Sequence, residues 1–210
     1  FEDYDHPNTR VTHMTVDHEL PMTFWRAVGH SYTAFAKESM IDEIAEAAGM
    51  DEVAFRLQNT QNTPRLNNVI RVASEHMAKM NPPEGHHLGF AAHHSFYTDV
   101  AEIAEVSVEN GKIRVHKVTC VLDCGQAVNP DIVRSQIEGG VIYGLTATLY
   151  GGLNLERGAI KESNFHDYPM LRMNESPEIE VVIIDSGTKP TGVGEPGLPP
   201  IAPAVANAVY

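Results

Sequence analysis

One carboxylate, Glu195, sits in a stretch crowded with glycine and proline, TGVGEPGLPPIAP, from Thr191 to Pro203. A carboxylate held in a fixed direction can take a proton from a reacting group, provided it is near and aimed. The flanking residues suit that task. Pro196 disfavours the α region for Glu195 and pushes it toward an extended conformation. Gly192, Gly194 and Gly197 permit unusual backbone angles and a close approach to a ligand. The loop also follows a strand pattern, where catalytic groups commonly sit. An ordinary surface loop has the same composition, and the spacing alone leaves both readings open.

Two other stretches carry possible chemistry. After Pro130, Gln136, Gly140, Gly144 and Thr148 recur every four residues and so line one face of a helix. Gly139, Gly140 and Gly144 together cost about 3 kcal/mol relative to alanine inside a helix. Something must approach that face closely. It is either another protein segment or a flat ligand contacted by backbone amides and the Gln136 side chain. In TFWRAVGHSY, Arg26 and Gly29 fall in a non-periodic stretch ahead of a helix, where backbone donors suit an anion or an oxo group.

The histidines offer less. His86, His87, His93 and His94 lie in GHHLGFAAHHSFY, and adjacent histidines on a strand point to opposite faces. They read as core-edge or partly exposed side chains rather than metal ligands. Cys120 and Cys124 cannot make a four-thiolate site alone, and they share a face if their segment is a strand. They read as core thiols.

Residues 34–59 predict two helices, with Gly49 stopping the first and Asp51 capping the second. A third helix follows Pro64, with Leu66, Val69, Ile70, Val72 and Ala73 on its apolar side. TRVTHMTVDH, Thr9 to His18, alternates as a half-buried strand does. TDVAEIAEVSV and KIRVHKVTCVLD flank Asn110-Gly111, a dipeptide suited to a tight hairpin turn. A small hairpin is expected around LERGAI, a strand over 178–185, and a last helix after Pro200. This order predicts an α+β fold, helix packed on sheet in two layers, with a helical segment at about 35–80 inserted between sheet-forming parts.

The 210 residues can bury a sizeable core, and 42% are apolar. A net charge of -13 repels phosphate backbones, which argues against nucleic acid as a partner. No apolar run approaches the ~20 residues of a membrane span. The chain begins without Met and without a signal peptide, and it stops inside an apolar helical pattern. It reads as a piece of a longer protein, so the compartment stays open.

These blocks occur in order in one family. FWRAVGHSYTAFAKESMIDEIAEAAG, LDCGQAVNPDIVRSQIEGGVIYGL, SNFHDYPMLRMNESPEIEV and GVGEPGLPPIAPAVANAV resemble the C-terminal part of the molybdopterin-binding large subunit of molybdenum hydroxylases. That is the xanthine dehydrogenase and aldehyde oxidase family, and the likeness is greatest to the isoquinoline 1-oxidoreductase β-subunit type. The resemblance implies a bacterial oxidoreductase acting on an aldehyde or N-heterocycle, with water-derived oxygen, at a molybdenum–pterin centre. It implies Glu195 as general base and pterin contacts from Gln136, Gly139 and Gly140. Arg26 to Gly29 would line the metal site, and Gly192 and Gly194 would lie at the cofactor. It further implies molybdopterin cytosine dinucleotide as cofactor. Iron–sulfur clusters would sit in a small partner subunit, and the N-terminal part of the same subunit would complete the site. Val28 stands where the xanthine dehydrogenase branch carries an aromatic residue. The alternative is a binding or assembly module that kept the fold without the chemistry. A hydrolase is disfavoured, since no nucleophile elbow is present. On this reading the 210-residue chain expressed alone folds but holds no molybdenum and oxidises no aldehyde or N-heterocycle. Metal content and dye-linked oxidation of the purified chain check it, and stoichiometric metal with turnover would contradict it.

Overall fold

A computed structural model describes residues 3–16, 20 and 22–210. Three helices come first: α1 (His30–Ala47), α2 (Glu52–Gln58) and α3 (Pro64–Met77). Asp51 caps α2 by accepting from the Val53 and Ala54 amides, and Gly49 ends α1 with φ of 65°. The strands β1 (His86–Ser95), β2 (Thr98–Glu109) and β3 (Lys112–Asp123) form an antiparallel meander. Asn110 and Gly111 turn it between β2 and β3 with φ of 52° and 74°, the left-handed pair that a two-residue hairpin needs. After α4 (Pro130–Tyr150) and the small hairpin β4 (Leu155–Glu156) and β5 (Ala159–Ile160), β6 (Glu178–Ile184) returns parallel to β3. The chain closes with α5 (Ile201–Val209). Among the described residues no helix is long and apolar enough to cross a membrane.

The main sheet runs β1-β2-β3-β6. Its alternating side chains feed two cores, so helix-on-sheet packing is built on both faces. Phe90, Ala92, Ala101, Ile103 and Val121 meet the Leu66, Val69, Ile70 and Ala73 face of α3. Ala91, Val100, Ala104, Cys120, Leu122 and Cys124 meet α4 and α5. The two cysteines thus share one core, as free thiols.

Two expectations are corrected. Residues 9–16 alternate but form no strand, and each is exposed. Alternation makes a strand only where a neighbour supplies hydrogen bonds and a covered face. Asp17 and His18 of that stretch lie outside the described residues. In consequence the three helices precede the sheet, and no strand comes before them among the described residues.

A buried carboxylate ties the helices to the sheet. Glu38 of α1 accepts from Arg56 Nε of α2 at 3.0 Å, Tyr4 Oη at 3.0 Å and the Ala92 amide of β1 at 2.9 Å. A fully buried ion pair persists only when its remaining lone pairs are met, as these are.

Register then places the loops. Ser95 pairs with Thr98, Asp99 with Asp123, and Asp123 with Ile184. The β1–β2 turn and the chain leaving β3 and β6 therefore gather at one end of the sheet.

Glu102, in mid-β2, is fully buried against α4 and α5, and apart from the weak Cys120 thiol donor across the ladder its oxygens have no hydrogen-bond partner among the described residues. Burial pushes its carboxyl up to about 8. Unfolded, the group loses its proton near 4.5; folded, it keeps it to about 8. The native state binds the extra proton between those values, so stability falls as pH rises through that window and levels off above it. Glu102→Gln should remove a slope approaching about 1.4 kcal/mol per pH unit there. Urea melts of both proteins at intervals from pH 5 to 9 measure the difference.

Candidate functional site

The Glu195 loop is attached along its length at this sheet end. Gln126 N donates to Thr188 O at 2.9 Å, Thr191 N to Cys124 O at 3.0 Å, and Gly192 N to Phe96 O at 3.2 Å. Thr98 Oγ1 donates to Gly192 O at 2.7 Å. Gly192, Gly194 and Gly197 are not in the left-handed region, contrary to the expectation of unusual angles. Two of them serve close packing instead. A Cβ on Gly192 would lie 3.1 Å from Phe96 Cβ, and one on Gly197 would lie 3.1 Å from the Ile137 Cα of α4.

The same observation revises Gly140. A Cβ there would stand 3.1 Å from the Gly197 carbonyl carbon, and one on Gly144 would stand 2.4 Å from Ile201 Cγ2. Gly140 is buried. The glycine face of α4 thus receives the Glu195 loop and α5, a protein neighbour and not a ligand. Gln136, one turn away, and the adjacent Gly139 are exposed and remain open to one.

Arg26 joins the predicted positions. Its Nε donates to Gly194 O at 2.8 Å, and Nη2 donates to the same oxygen. Nη2 also reaches Gln136 O at 3.2 Å and Gln136 Oε1 at 3.3 Å. Arginine only donates, so the Gln136 amide must turn its oxygen inward and its NH2 outward. That NH2 has no partner among the described residues.

The backbone donors after Arg26 do bind an anion, and it is Glu195. Ala27 N donates to Glu195 Oε1 at 3.0 Å, while Oε2 has no partner among the described residues. Ala27 and Val28 have φ of 69° and 50°, a left-handed pair that turns this amide inward before α1 begins. Such non-glycine residues cost of order 1–3 kcal/mol each and cluster at functional sites. Gly29 ends this turn and leads into α1. Trp25 does not stack on Arg26; it packs on Tyr143 with centroids 5.0 Å apart.

A second strained turn carries no signal in the sequence. Phe96 and Tyr97, between β1 and β2, have φ of 52° and 63°. Arg65 of α3 holds Tyr97 O at 3.3 Å and Asp123 Oδ1 at 3.0 Å. His94 Nδ1 lies 2.7 Å from Asp99 Oδ1, a bond that raises its pKa. Nothing in FYTD marks a two-residue turn, because the usual glycine or asparagine is missing. Of the four histidines, His93 is buried, His87 exposed, and His86 and His94 intermediate. Among the described residues no three His, Cys, Asp or Glu side chains gather as a metal site. An apolar cleft of about 360 Å³ opens beside Trp25, Tyr32 and Phe35, but none of Glu195, Arg26 and Gln136 lines it.

Sequence comparison decides the family. A family model described as a molybdopterin cofactor-binding domain matches residues 21–177. This chain belongs to that family. Over 98% of its length it is 35% identical to the beta chain of isoquinoline 1-oxidoreductase from Brevundimonas diminuta, covering 27% of that protein. It is 30% identical to a nicotinate dehydrogenase subunit of Pseudomonas putida over 99% of its length, covering 19% of that one. The chain therefore spans about a quarter or less of the length of these relatives. Its fold is that of the aldehyde oxidoreductase from Desulfovibrio desulfuricans, with TM-score 0.68 over 89% of this chain and 39% of the other, at 15% identity.

Gly140→Leu should lift the Glu195 loop off α4, costing about 1–3 kcal/mol by overpacking. Thermal melting would show the loss, and an unchanged midpoint would mean that the loop can shift freely.

Proposed function

We propose that this molybdopterin-binding chain is part of the catalytic subunit of a molybdenum hydroxylase, which oxidises an aldehyde or an N-heterocycle with Glu195 as general base. One observation carries the reading. The carboxylate is pinned through Oε1 to the Ala27 amide, and Oε2 is left without a partner among the described residues. A group held in that way is aimed, with one oxygen available to receive a proton. The names of the relatives agree, since isoquinoline 1-oxidoreductase and nicotinate dehydrogenase act on nitrogen heterocycles by name.

The residues also fit a molybdenum–pterin group. Gln136 offers an NH2 donor oriented by Arg26, and exposed Gly139 lies beside that guanidinium, its Cβ position 3.7 Å from Nη1. The side chains here offer hydrogen bonds toward such a group. When bound, the group supplies an electron-accepting centre that activates water-derived oxygen for transfer. Gln136, Gly139 and the 26–29 turn would hold it, with Gly192 and Gly194 placing Glu195 against it. Arg26 fixes both walls of this site, because it binds the helix and the loop at once. Glu195 Oε2 would accept the proton released on oxygen transfer, and the Ala27 N–H keeps the carboxylate from swinging away. We further propose the cytosine dinucleotide form of the cofactor, iron–sulfur clusters in a small partner subunit, and additional contacts from the N-terminal part of the same subunit.

Glu195→Gln keeps an oxygen for the Ala27 amide and removes the base. In the full-length enzyme it should retain molybdenum and lose at least ~10²-fold in turnover. Metal analysis and steady-state kinetics test this together, and turnover near wild type would remove Glu195 from the mechanism.

A further inference from the structure

Behind the Ala27–Val28 turn runs a line of three basic side chains. His30 Nδ1 is 2.9 Å from His93 Nε2, and His93 Nδ1 is 2.9 Å from Lys37 Nζ. Lys37 Nζ also meets Asp3 Oδ2 at 2.5 Å and lies 3.6 Å from Glu38 Oε1. Lys37 and His93 are 1% and 6% exposed, so water does not compete for these bonds.

Hydrogen-bond chemistry gives the line a direction. An ammonium only donates, so His93 Nδ1 must accept. Burial, followed by the Lys37 charge, pushes His93 down to about 2, and its ring is neutral. Its single proton is then on Nε2 and points at His30 Nδ1. A proton on His30 Nδ1 would set two N–H groups head to head, so that nitrogen accepts and the His30 proton resides on Nε2. Burial lowers the His30 pKa most, and His94 and Lys37 lower it further, while Asp3 and Glu195 oppose them. The net direction favours the same neutral ring.

The His30 residue is tied to both turns of the site, and Glu195 is among the charges that act on its ring. His30 N donates to Ala27 O at 3.0 Å, and Ala27 N holds Glu195. The His30 ring meets the Phe96 ring at 5.3 Å, and Phe96 O holds Gly192. His30 is therefore set between the two strained turns that grip the Glu195 loop. Its Nε2 has no hydrogen-bond partner among the described residues, yet it is not one of the buried unpartnered atoms.

We propose that Lys37 and His93 are positioning residues that lock His30 as an Nε2–H donor beside Glu195, and that this donor binds the lone-pair atom next to the oxidised carbon of the substrate. The atom is a ring nitrogen or a carbonyl oxygen. A hydrogen bond to it draws electron density from the neighbouring carbon and makes that carbon easier to attack. The substrate half of the proposal rests on the reading of Glu195 as base; the directed chain does not.

Neutron diffraction from deuterium-exchanged crystals of the full-length protein reads the chain without any variant. Deuterium is expected on Nε2 of His30 and of His93 and on neither Nδ1. Deuterium on His30 Nδ1 would overturn the proposal. The donor is then tested in the loaded enzyme with an N-heterocycle. His30→Leu should lower kcat/KM about 10- to 100-fold, as loss of one hydrogen bond to a reacting group does. His30→Gln, whose amide NH2 falls near the Nε2 position, should recover most of it. Equal losses in both variants, or none in His30→Leu, would overturn the donor role. Failure of the base reading shows separately, as turnover retained in Glu195→Gln, and leaves the neutron result intact.

Discussion

One guanidinium holds three separate pieces of chain in register. Arg26 reaches Gly194 in the loop after β6 and both oxygens of Gln136 on α4. A lysine cannot do this, because its single nitrogen offers no planar fork with donors set apart. The consequences spread outward. With Gly194 fixed, the next residue meets the Ala27 amide, and with Gln136 fixed, its NH2 faces the open side. Charge-assisted donors of this kind are the stronger hydrogen bonds, which suits contacts that are only partly shielded from water.

Strain is the counterpart of that bracket. Ala27 and Val28 on one side, and Phe96 and Tyr97 on the other, all occupy a backbone region that L-residues with side chains avoid. Each turn is held from outside. Glu195 pulls on the first; Arg65, Gly192 and the β1–β2 ladder hold the second. Both turns direct backbone groups at the same loop, which explains why the sheet end rather than either helical core carries the site.

Buried polar groups in this fold divide into two kinds. Glu38 and Arg56 are fully partnered, and they join α1, α2 and β1 into a frame that keeps the Arg26 segment in place. Glu102 meets only the weak Cys120 thiol among the described residues and avoids the cost of a buried charge by keeping its proton. The first arrangement ties two helices and a strand together through charged hydrogen bonds. The second leaves it more stable in mild acid than in mild base.

Local signals were legible in the sequence because their physics is local. Asn110-Gly111 demands left-handed angles, Asp51 reaches amides two and three residues on, and Pro130 suits a first helical turn. The loop around Glu195, the long glycine-bearing helix and the strand at 178–184 were readable for the same reason, and the motif blocks named the family. Alternation over residues 9–16 misled, since a period of two says nothing about whether a neighbouring strand exists. Tertiary structure alone decided which groups meet. Ala27 and Glu195 are 168 positions apart, and His30 and His93 are 63 apart. The sequence left the neighbour of Gly140 open between protein and ligand, and the packing of Gly197 against it decided for protein. Such pairings depend on sheet register and helix placement, where a shift of one residue turns every side chain to the other face. The order of residues specifies each piece; only their packing brings a distant amide to a carboxylate.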